Sequence, residues 1–118
     1  MIDVPIRTVS EANSRDHWAK KARRVKAQRD VVGMYLGIYF SQHRKPSLPC
    51  VVRLTRSGGR HLDDDNLRSA LKAVRDEVAK WLNINDGGTL VKWEYAERKA
   101  KTQSVIIEWE SCLSLIHI

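Results

Sequence analysis

Three carboxylates stand in a row, Asp63-Asp64-Asp65, followed by Asn66, Leu67 and the clearest helical periodicity in the chain. An acid at a helix N-terminus gains roughly 0.3–1 kcal/mol from the dipole. That accounts for one Asp, but adjacent like charges repel, so capping is a poor reason for three. A hard divalent cation removes the repulsion. Mg²⁺ takes oxygen ligands, keeps several waters, and needs only one or two carboxylates beside a substrate phosphate. If the chain arrives extended, Asp63 and Asp65 share a face and Asp64 points away as a bystander. Such a pair supports metal-assisted phosphodiester hydrolysis. The alternative is simple capping, with the N-cap at Asp65 or Asn66.

A further carboxylate, Asp86, lies in the turn that follows the periodic segment, just before Gly87-Gly88. A helix over residues 66–82 spans about 25 Å. Asp86 therefore meets the pair only if the chain folds back, with strand 89–95 returning beside strand 50–56, or if a second copy supplies it.

The acids stand out against the charge of the whole. The chain has 118 residues and 21 Lys+Arg against 14 Asp+Glu, for a net charge of +7. This length is one domain with a modest core, and the charge points to a polyanionic partner, nucleic acid before an anionic membrane surface. No apolar run is long enough for a membrane span, and the N-terminus lacks a signal-peptide core. Cys50 and Cys112 make neither a disulfide framework nor a metal knuckle and read as two reduced thiols, so the cytoplasm is the expected compartment. Residues 15–30 hold seven basic side chains (Arg15, Lys20, Lys21, Arg23, Arg24, Lys26, Arg29) against Asp16 and Asp30. Phosphate contact by this helix face is at least as good a reading as a solvated surface.

The elements that must position these groups follow from patterning. Residues 1–9 hold Val4, Ile6 and Val9, interrupted by Pro5, and predict a short edge strand. A helix is expected from about residue 14 to 43, capped by Ser10 or Ser14, with Trp18, Ala22, Val25, Arg29 and Val32 at helical spacing. Gly33 and Gly37 weaken its second half and predict a bend or a division. Residues 50–56 read as a strand, and 57–60 as a flexible loop delivering the chain to the acids. Leu67, Ala70, Leu71, Val74, Val78, Trp81 and Leu82 form one apolar stripe. Residues 89–95 alternate through Val91, Trp93 and Tyr95, and residues 103–110 through Val105, Ile107 and Trp109, which predicts an antiparallel hairpin. The order β-α-β-α-β-β predicts an α+β fold, two main helices on a small mixed sheet. Trp18, Trp81, Trp93 and Trp109 all fall on apolar stripes and are expected in the core or at a dimer interface. His61 is within reach of a phosphate or metal at the acids, whereas His17 and His43 read as surface or helix-end residues.

Asp63-Asp64-Asp65-Asn66-Leu67, the amphipathic helix, Trp81-Leu82-Asn83-Ile84-Asn85-Asp86, and a strand with a basic end at Arg98-Lys99 together resemble the RusA-type Holliday junction resolvases of phages and prophages. The segment from Ser10 through Asn13 to His17-Trp18 is similar to the phage branch. The resemblance covers residues 5–110. It implies a homodimeric, Mg²⁺- or Mn²⁺-dependent endodeoxyribonuclease that nicks two strands of a four-way junction in recombination and repair, in a bacterial or phage-infected cell. It implies Asp63, Asp65 and Asp86 as metal-binding acids in a single domain over residues 1–111. The family places a Lys where this chain has Ser69, leaving Lys72 or Arg68 as the nearby cation, with Lys72 assigned to catalysis. Asn85 stands where the family often has an acid. Arg15, Lys20, Lys21, Arg23, Arg24, Arg56, Arg60, Arg68 and Lys99 are the expected DNA contacts. Residues 112–118 look like a translated sequencing adapter and are set apart from the domain. Two rivals stand beside the enzyme: a non-catalytic basic DNA-binding module whose acids cap a helix, and a regulatory phage protein that binds another protein.

Overall fold

The computed structural model describes residues 1–10, 17–84 and 89–111. Its organising element is strand β2 (Cys50–Ser57), rich in β-branched residues and paired on both sides. β3 (Val91–Arg98) lies parallel to it, from Cys50↔Val91 to Ser57↔Arg98. β4 (Ser104–Ser111) lies antiparallel on its other side, and β1 (Ile2–Val4) pairs antiparallel with β4 at the edge. The sheet order is therefore β1-β4-β2-β3. With α1 (Trp18–Gln42), α2 (Asp64–Ala70) and α3 (Lys72–Trp81), the fold is the expected α+β arrangement on a mixed sheet.

The expected hairpin does not form. β3 and β4 are not a hairpin, because β2 lies between them. The connection at residues 99–103 is long enough to step over one strand, and it crosses the end of β2. Gly58 makes this crossing possible. Its N–H donates to the Arg98 carbonyl at 2.9 Å, its φ is +77°, and a Cβ there would lie 2.6 Å from the Thr102 carbonyl oxygen.

Register assigns the faces. Ile2, Val4, Val105, Ile107, Val52 and Leu54 occupy one side of the sheet and are buried against Val32, Leu36, Leu67, Leu71, Val74 and Val78 of the helices. The predicted stripe over 67–82 packs as expected, except that Trp81 is only half-buried. The segment is two helices rather than one. Leu71 adopts φ −99° and ψ 3°, although its N–H still bonds to the Leu67 carbonyl and its own carbonyl accepts from Arg75. The opposite sheet face is polar, with Arg53 paired to Glu94 at 3.0 Å and Glu108 and Glu110 nearby.

α1 is one unbroken helix; its glycines do not divide it. They let α3 come close. A Cβ at Gly33 would sit 2.8 Å from Glu77 Oε2, and one at Gly37 would sit 3.3 Å from the Trp81 ring. Glu77 is buried there, with Arg29 Nε donating to it at 3.2 Å. The N-cap of α1 is His17, whose Nδ1 accepts from the Ala19 N–H, in place of the expected Ser10 or Ser14. Ser14, Cys112 and the suspected adapter residues 112–118 lie outside the described residues.

Gly58→Ala tests the strand crossing. The left-handed backbone alone costs about 1–3 kcal/mol, and the clash with the Thr102 carbonyl adds to it. The variant should unfold at clearly lower urea concentration than wild type.

Candidate functional site

One edge of the sheet gathers the three acids with Arg56, Arg60 and Lys99. β1 and β4 are antiparallel, as are β4 and β2, while β2 and β3 are parallel. The C-terminal ends of β1, β2 and β3 therefore share an edge with the start of β4. From the end of β2 the chain passes through residues 58–63 directly into α2. From the end of β1 it passes toward α1, and on the way Ser10 Oγ donates to Asn66 Oδ1 at 2.6 Å. α1 and the α2–α3 arm run in the same sense. Lys21 lines a groove with Ser69 and Lys72, Arg29 meets Glu77, and Gly37 meets Trp81. The N-termini of α1 and α2 thus both lie at this edge.

The acids are placed differently from their expected alternation. α2 begins at Asp64, so Asp64 and Asp65 are helical and only Asp63 is extended (φ −69°, ψ 171°). A helical step of about 100° separates successive side chains, so the shared face drawn for Asp63 and Asp65 from an extended approach does not apply. Asp63 is the N-cap, two or three residues earlier than expected, and its Oδ1 accepts from the Asn66 N–H at 3.0 Å. That uses one of its oxygens. Asp64 and Asp65 are exposed in the first turn and have no cationic partner among the described residues. Asp64 lines a groove with Arg53, Arg68, Trp93 and Tyr95. Asp86 and Arg15 fall outside the described residues.

Directly beside the acids is a carboxylate that the sequence reading overlooked. Glu97, 20% exposed, accepts from the Leu62 N–H at 3.1 Å and contacts His61 Nδ1 at 2.9 Å and Arg56 Nη1 at 3.5 Å. It therefore grips the residue that precedes Asp63. A signal for it existed: Glu97 continues the Val91-Trp93-Tyr95 row, so a charge falls on the apolar face of its strand. Arg56 does the same on β2, after Cys50-Val52-Leu54, and register sets the two opposite each other.

Arg56 is 7% exposed and its guanidinium is committed internally. Nε donates to Thr8 Oγ1 at 2.9 Å, and Nη1 donates to the Arg60 carbonyl at 2.6 Å. It leaves the set of side chains that can reach a phosphate. Arg60, Lys20, Lys21, Arg23 and Lys99 are exposed, and Arg24 is half-buried. Lys26 is exposed too, and its hydrogen bond to Asp30 and that carboxylate's charge hold it above the ordinary lysine value. The two cations offered in place of the family Lys diverge. Arg68 stacks over the Tyr95 ring at 5.7 Å, while Lys72 faces α1 and pairs with Asp76 at 2.9 Å.

The donor set is chemically suited to a hard cation: exposed carboxylate oxygens with no ion-pair partner among the described residues. Among the described residues no three His, Cys, Asp or Glu side chains are already gathered for a metal.

Glu97→Ala should lower stability by about 1–3 kcal/mol, because it strips the counter-ion from a buried guanidinium. Asp64→Asn should change it by less than about 0.5 kcal/mol, as for an ordinary surface position. Chemical denaturation of both variants reads the difference. No protein-family model, curated protein or solved structure matches the chain.

Proposed function

We propose that the chain is a metal-dependent, structure-selective endodeoxyribonuclease that resolves four-way DNA junctions as a homodimer. One observation carries this reading. In a protein of net charge +7, Asp64 and Asp65 stand exposed without a cationic partner among the described residues, at an edge ringed by lysines and arginines. Uncompensated acids inside a basic surface are costly for DNA binding alone, since they repel the same phosphates the cations attract. They are useful where a divalent cation bridges them to a phosphodiester.

Mg²⁺ or Mn²⁺ bound by Asp63 and Asp65, with Asp86 as the further acid, would polarise the scissile phosphate and acidify an attacking water. The chain's own residues do the rest. Asp63 anchors the start of α2 through its cap, and Glu97 fixes the preceding backbone. Lys20, Lys21, Arg23, Arg60 and Lys99 hold phosphates, which position DNA by shape rather than by sequence. Lys72 is the catalytic cation of this scheme. Its exposed pairing with Asp76 is worth little and opens readily toward an anion. A two-fold dimer presents two such edges to a two-fold substrate. No described helix is long and apolar enough to cross a membrane.

Asp63 does cap α2, which favours the rival basic DNA-binding module. Asp63→Asn separates the two, because Asn caps as well as Asp whereas Ala loses about 1 kcal/mol. The purified dimer is incubated with a synthetic four-way junction in Mg²⁺ or in EDTA. The expected result is paired nicking in Mg²⁺ only. Asp63→Asn and Asp65→Asn should lose it by roughly 100-fold or more, at least the loss found when groups that only orient metal ligands are removed. Both variants should keep their fold and their junction binding. Nicking that persists in EDTA, or in both variants, would exclude the metal mechanism. Salt-sensitive binding without any nicking would leave the DNA-binding module.

A further inference from the structure

Trp18 was expected in the core or at an interface, on the stripe it shares with Ala22, Val25 and Arg29. It is instead 75% exposed, more than any other large apolar side chain described. The stripe does face α3 lower down, where Arg29 meets Glu77 and Gly33 admits the Glu77 carboxylate. Toward the N-terminus of α1 the stripe is exposed, at Ala22 and most of all at Trp18. Lys21 shares a groove with Ser69, so Trp18, about 4.5 Å further along the axis, is about level with the first turn of α2, which carries Asp64 and Asp65. The His17 ring stands 5.4 Å from the indole at 37° and buttresses it. Lys20, Lys21 and Arg23 are exposed in the next turn.

An exposed indole among cations, on a helix end that shares an edge with Asp64 and Asp65, selects its ligand by chemistry. The ligand must be a polyanion that also offers a flat apolar surface. A nucleobase released from its stack has both, and stacking tolerates any base sequence. A duplex arm holds its base faces in a continuous stack, whereas at a crossover the stack is interrupted and can open to expose them. An anionic bilayer also attracts lysines and tryptophan, and vesicles separate that ligand from branched DNA in the test below. We propose that Trp18 stacks on an unpaired or unstacked nucleobase at the branch point, so that recognition of branched over linear DNA is built into the first turn of α1. The assignment rests on the endonuclease reading, with the acids and the indole acting at one crossover.

The test places a fluorescent purine analogue at the branch point of a synthetic four-way junction, with Ca²⁺ in place of Mg²⁺ to hold the complex uncleaved. Wild type and Asp65→Asn should both quench the analogue and prefer the junction to a linear duplex of equal length. Trp18→Ala should lose the quench and about tenfold of the junction affinity, within the range of one aromatic–base stack. Its affinity for the linear duplex should be unchanged, and Trp18→Phe should recover most of both losses. Unaltered quench and affinity in Trp18→Ala, with wild type still preferring the junction, overturns the Trp18 assignment alone. Equal loss on linear duplex overturns it as well. So does a shift of Trp18→Ala to a smaller species in sedimentation, or a Trp18 dependence seen only with phosphatidylserine vesicles. A wild type with no preference for the junction overturns this proposal and the resolvase reading together.

Discussion

Arg56 carries a permanent positive charge into the end of the central strand, where little water reaches it. Such a group is tolerated only if its donors are filled, because an unpaired buried charge costs several kcal/mol. Its partners come from three stretches of chain: Thr8 on the way to α1, the Arg60 carbonyl on the way to α2, and Glu97 at the end of β3. Glu97 in turn holds the Leu62 N–H and His61. The approach to α1, the approach to α2 and the end of β3 are therefore registered against one guanidinium. A buried ion pair adds little to stability compared with apolar packing, but it fixes which segments meet. Here the segments that meet are those that carry the candidate chemistry.

The parallel pairing of β2 and β3 has the second controlling role. It sends both strands toward the same edge, and the step of residues 99–103 across β2 returns the chain antiparallel on the far side. The register of this pairing sets Glu97 opposite Arg56, and Glu97 in turn anchors the loop before Asp63. The uncovered sheet face carries Arg53, Lys92 and Arg98 beside Glu94, Glu108 and Glu110, while exposed lysines and arginines gather around the helix N-termini.

Capping and metal binding are compatible at Asp63. The cap uses one carboxylate oxygen and orients the other, while the start of α2 offers Asp64 and Asp65 to solvent. A helix N-terminus also favours the negative charge these acids hold before any cation arrives. Their crowding is thus partly relieved by the fold, which lets the acids stay exposed and uncommitted.

Period and composition were sufficient for the element order, the α+β class, the stripe from Leu67 to Leu82 and the inward rows of β3 and β4. Each depends on residues within a few positions of one another, where spacing and burial are tightly linked. The Asp63–Asp65 cluster and the basic run of α1 were legible for the same reason. The strand partners were not, because an alternating row packs equally well in a hairpin or beside a third strand; only the whole sheet chooses. The roles of Arg56 and Glu97 were hidden behind that choice, since their meeting is a matter of register between distant strands. Gly33 and Gly37 read as weak points in a helix until α3 was found lying against them. Trp18 shares its stripe with the buried Val32, yet spacing alone does not say which turns of a helix meet a partner, and the stripe is exposed at Ala22 and Trp18.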